Sequence, residues 1–123
     1  MERECLEILL RGTQGVILCP ARTLTSLRLS ASAKKALADG RLLLLSPFDE
    51  SVRRQARDTA IYRNRVVAAL ADEIIVPYAL PGGATDDLCR AALAWGKALF
   101  TFDSPANRHL VQLGASVLVA PTE

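Results

Sequence analysis

Arg63, Asn64 and Arg65 stand together at the head of one helical pattern, and Pro81-Gly82-Gly83 follows the next apolar run. Two guanidinium forks and an amide suit charge-assisted, bidentate hydrogen bonding to phosphate or carboxylate. A glycine pair can aim backbone N–H groups at the same kind of anion. Between them lie residues 66–71 at helical spacing and the β-branched run 73–77, so the expected order is basic cluster, helix, strand, glycine turn. Ligands of α/β proteins bind outside the carboxyl ends of the strands. The stretch 62–83 therefore reads as an anion or nucleotide site.

Each of these residues also admits a plain structural role. Arg63 lies on the apolar stripe of Val52, Ala56, Ala60, Val66, Val67 and Leu70. Its guanidinium either reaches a ligand or pairs with a carboxylate such as Asp58. Arg65 is two residues on, faces elsewhere, and meets the same ligand only if that ligand is extended. Asn64 can act as a local cap, and Gly82-Gly83 can be ordinary turn chemistry. Asp86 and Asp87 are paired carboxylates, but acid–base work would need a raised pKa in a dry pocket, whereas capping a helix asks less of them. Asp103 suits a ribose hydroxyl or the turn after its strand. His109 has no partner in sequence and reads as a surface or half-buried side chain. Trp95 either stacks on a base or packs on a sheet. Arg53, Arg54 and Arg57 form a basic face that is solvated or tracks a phosphate backbone. No nucleophile–base pair, metal cluster or complete phosphate loop is visible. A binding role is thus expected ahead of an enzymatic one, with no catalytic residue, metal or cofactor.

The elements that must position these residues belong to a chain of 123 residues, half of them hydrophobic, enough for one domain with a real core. The net charge of +2 is too small for a general polyanion binder, so nucleic-acid contact would need a local patch. Twelve of the fifteen basic residues are arginine, the residue of fork-shaped anion recognition. Cys5, Cys19 and Cys89 are odd in number, far apart and set among apolar neighbours. They fit neither a disulfide framework nor a zinc site and read as buried thiols in a reducing cytoplasm. The longest apolar runs fall far below the ~20 residues that span a bilayer, and the charged start resembles no signal peptide.

In order, residues 2–11 carry Leu6, Leu9 and Leu10 at helical spacing, with Gly12 as a stop. Strands are expected near 16–19, 42–45, 73–77, 98–102 and 116–119, the short apolar ones reading as buried on both faces. Ser30 or Ser32 caps a helix that ends at Gly40. Residues 51–71 form a long helical pattern with a break near Asp58 or Thr59, which would bring Arg63 into the first turns of its second half, where anions are favoured. Thr85 or Asp86 caps the helix carrying Leu88, Ala91, Ala92 and Trp95, and residues 106–113 form another. Strands joined by helical crossovers give one parallel sheet with helices on both faces.

Arg63-Asn64-Arg65-Val66-Val67-Ala68-Ala69-Leu70 followed by an apolar strand resembles the RNR-I-I-x-x-L block of the DprA/Smf DNA-processing proteins. Residues 42–47 resemble that family's L-L-L-S-E-x-P strand, 91–97 its A-x-A-L-x-x-G-R helix end, and Asn107 to Ala115 its N-x-L-I-x-x-G-A close. The resemblance spans roughly residues 15–119. It implies a single Rossmann-like domain that binds single-stranded DNA or a nucleotide, with Asn107 added to the ligand set. Pro81-Gly82-Gly83-Ala84-Thr85 is closer to the P-G-G-x-G-T loop of lysine-decarboxylase-like phosphoribohydrolases, which adds Thr85 and gives a nucleotide-cleaving hydrolase as the alternative. The catalytic glutamate of that loop has no counterpart in register. Relative to the DprA/Smf pattern the chain lacks the opening strand, and the sheet edge or apolar face so uncovered implies a homodimer. A degenerate domain serving as a scaffold subunit is the remaining reading.

Overall fold

The computed structural model describes residues 2–25 and 27–118. The chain divides into two compact units, residues 1–63 and 64–123. All strands are parallel to their neighbours, but the expected five-stranded sheet is two smaller ones.

In the first unit α1 (Glu2–Leu10) leads to β1 (Val16–Leu18), α2 (Ala31–Ala38) and β2 (Leu42–Leu44). β1 and β2 pair with Val16 opposite Leu42 and Leu18 opposite Leu44. These residues face Leu6, Leu10, Ala33 and Ala36 to make the core. The Ser30 hydroxyl accepts the Ala33 N–H at 3.2 Å and starts α2, and Gly40, at φ 75°, lets the chain turn after it.

In the second unit β3 (Glu73–Ile75), α4 (Ala84–Ala94), β4 (Ala98–Phe102), a 3-10 turn (Pro105–Asn107), α5 (Arg108–Leu113) and β5 (Ser116–Leu118) form a sheet in the order β3-β4-β5. Val76, Ala79, Cys89, Leu99, Leu110 and Ala115 are its buried centre. Residues 119–123, the first of which is the expected end of the last strand, lie outside the described residues. α3 (Arg57–Leu70) runs across the boundary between the units.

Two expectations are corrected. The strands are not buried on both faces: the register partners Ile17 and Leu43 are 64% and 57% exposed, and Ile75 is 58% exposed in the second sheet. Period-2 alternation turns every second apolar side chain away from the helices that cover the other face. No helix forms over residues 51–56. Thr59 Oγ1 accepts the Ala56 N–H at 2.9 Å and donates to the Ala56 carbonyl at 3.0 Å, so local side-chain bonds tie up the backbone before the helix begins.

Candidate functional site

α3 places the basic cluster, though not as its spacing suggested. Because the helix starts at Arg57, Arg63 lies almost two turns inside it and outside the zone where free N–H groups attract anions. The side chain is buried, and its Nη1 donates to the Cys19 carbonyl at 2.7 Å, just beyond the end of β1. Burial pushes the Cys19 thiol up, and the nearby Arg63 guanidinium opposes that shift. Asn64 is half-buried. Arg65 is exposed, and its guanidinium carbon sits 5.2 Å from the centre of the Trp95 ring, a cation–π contact. Trp95 is the C-cap of α4 and is 43% exposed. Lys97 donates to the Ala69 carbonyl at 3.0 Å and adds a second cation close by in sequence.

The glycine turn lies at the other end of α4. Gly82 has φ +77°, a left-handed conformation open to glycine, and a Cβ on Gly83 would meet the Leu80 carbonyl oxygen at 3.2 Å. Gly83, with no side-chain bond, is the N-cap in place of Thr85 or Asp86, and Thr85 is half-buried in the first turn. Both glycine N–H groups are engaged within the chain: that of Gly82 with Asp86 Oδ2 at 3.0 Å, and that of Gly83 with the Leu80 carbonyl at 2.9 Å. From Gly83 to Trp95 is roughly 18 Å at ~1.5 Å per residue. Arg65 and the glycine turn are therefore not gathered around one small ligand.

Asp86 is the buried carboxylate of this region. The Gly82 N–H is the main influence holding its carboxyl below the usual range, with Arg90 and His109 assisting and burial opposing. Arg90 Nε lies 3.4 Å from Oδ2, and His109 Nε2 lies 3.8 Å from Oδ1. Oδ1 and Nε2 are both buried without a hydrogen-bond partner. An ionised Asp86 can accept protons or hydrogen bonds but cannot serve as a general acid near neutrality.

Asn107 is fully buried, and its Nδ2 donates to the Pro77 carbonyl at 2.9 Å and the Phe102 carbonyl at 3.1 Å. It pins the exits of β3 and β4 together. Thr101, which the sequence reading did not single out, adds a hydroxyl bond to the Val76 carbonyl at 2.7 Å. Among the thiols, Cys19 and Cys89 are buried as expected, whereas Cys5, on α1, is exposed. Among the described residues no group of three or more His, Cys, Asp or Glu is placed to hold a metal, and no helix is long and apolar enough to cross a membrane. No protein-family model, curated protein or solved structure matches the chain.

Proposed function

We propose that the chain is a DprA-like nucleic-acid-binding module that holds single-stranded DNA without chemistry, in the cytoplasm. The observation that carries the reading is the exposed Arg65–Trp95 pair. A cation for the phosphate beside an aromatic face for the base is how single strands are held without sequence preference. The separation along α4 supports a strand over a mononucleotide, since an extended ligand can touch Arg65 at one end and Thr85, beside the glycine turn, at the other. Arg63 and Asn107 belong to this reading as the residues that fix the helix and the strand exits. A nucleotide-cleaving hydrolase is disfavoured, because Asp86, the carboxylate by the loop, is buried and its Oδ2 is engaged by the Gly82 N–H and by Arg90.

The exposed apolar strand residues Ile17, Leu43 and Ile75 favour a homodimer, since parallel sheets are ordinarily covered on both faces. The test of the function is titration of a labelled single-stranded oligonucleotide at several salt concentrations. Binding that weakens steeply with salt supports it, and absence of binding at low salt overturns it. Light scattering at tens of micromolar tests the dimer, with a monomer as the contrary result.

A further inference from the structure

A recess of about 230 Å3 opens where β4 ends, between α5 and β5. Its apolar wall comes from Phe102, Val111 and Val117, and its polar groups are Asp103, Ser104, Arg108 and Gln112. The volume is below the ~300–1,000 Å3 that encloses a drug-sized ligand and suits a single planar ring system. The frame is held in place: Asn107 bonds the Phe102 carbonyl, and the Ser104 hydroxyl accepts the Ala106 N–H at 3.3 Å. Arg108 and Gln112 are four residues apart on α5 and so share one face of it.

We propose that this recess is a guanine subsite, an inference that rests on the nucleic-acid-binding reading above. The lining offers one carboxylate and one guanidinium over an apolar wall. Among the four bases guanine alone presents two adjacent N–H donors, which match the two oxygens of a carboxylate such as that of Asp103. Its O6 and N7 acceptors match the fork of an arginine, here Arg108. Phe102, half exposed, supplies an apolar surface for the ring. Gln112, with a donor and an acceptor, fits either edge.

The guanine can belong to a free nucleotide or to a strand, and two arms separate these sources. In one, guanosine monophosphate is titrated beside the adenosine, cytidine and uridine monophosphates. In the other, an oligothymidylate is compared with the same oligomer carrying one central dG. The expected result is at least a tenfold preference for guanine in one arm or both, abolished by Asp103→Asn, while the affinity for plain oligothymidylate stays within twofold. Asp103→Asn is a surface change that preserves the fold, which an unaltered melting temperature verifies. If oligothymidylate binds but neither arm shows a guanine preference, or if Asp103→Asn leaves that preference intact, the subsite is overturned and the strand-binding reading stands. If no oligonucleotide binds and no mononucleotide is preferred, both fall.

Discussion

The carboxylate of Asp86 accepts the Gly82 N–H at 3.0 Å, so the first turn of α4 closes back on the loop that precedes it. The folded state thereby holds the carboxyl below its ordinary value. A depressed carboxyl contributes stability that is present above the unfolded value, near 4, and is lost as pH falls through the lower folded value. Wild-type unfolding midpoints should therefore fall on acidification below about pH 4. Asp86→Asn should flatten that acid limb and cost about 1 kcal/mol at neutral pH, read by denaturant unfolding. An acid limb identical in the variant would show that Asp86 is not the group responsible.

Arg63 is expected to matter for stability. Its Nη1 bond to the Cys19 carbonyl is buried and charge-assisted, so Arg63→Ala should lower unfolding free energy by roughly 1.5–3 kcal/mol. Arg63→Lys, which keeps the charge without the fork, should recover part of the loss. A denaturation midpoint that does not move in Arg63→Ala would contradict this placement.

The thiols should separate cleanly under a disulfide-exchange reagent. Cys5 is exposed, while Cys19 and Cys89 are buried, and burial, aided by the Asp86 charge, pushes the Cys89 thiol up to about 11. Since the thiolate is the reactive form, one equivalent should react quickly in the native protein and two more only on unfolding. Cys5→Ser should remove the fast phase. Three fast equivalents would contradict the burial of Cys19 and Cys89.

Much of the local order is legible in the chain itself. The five strands begin at the expected residues, and β4 covers the whole of its apolar run, because each run is bracketed by Gly, Pro or a helix stop. Ser30 is recognisable as a cap because a serine stands before an alanine-rich helical stretch. The open strand faces are not legible: Val16-Ile17-Leu18 and Leu42-Leu43-Leu44 are wholly apolar, so no polar residue marks which side lacks a cover. Within the site, Asn107 is singled out only by a resemblance, and its bonds to Pro77 and Phe102 depend on two strand exits meeting in space. The same holds for Asp86 and His109, which lie on separate helices and share no sequence pattern.

The strand-binding account is tested most directly by the affinity of a labelled oligothymidylate for the wild type and for Arg65→Ala and Trp95→Ala at low salt. One charge-assisted contact is worth about 1.5–3 kcal/mol and one stacked base about 1–3 kcal/mol, so each variant should lose roughly ten- to a hundredfold in affinity. Arg65→Ala should also shallow the salt dependence, whereas Trp95→Ala should leave its slope unchanged. Equal affinity in all three proteins, or no binding by the wild type, would contradict the account.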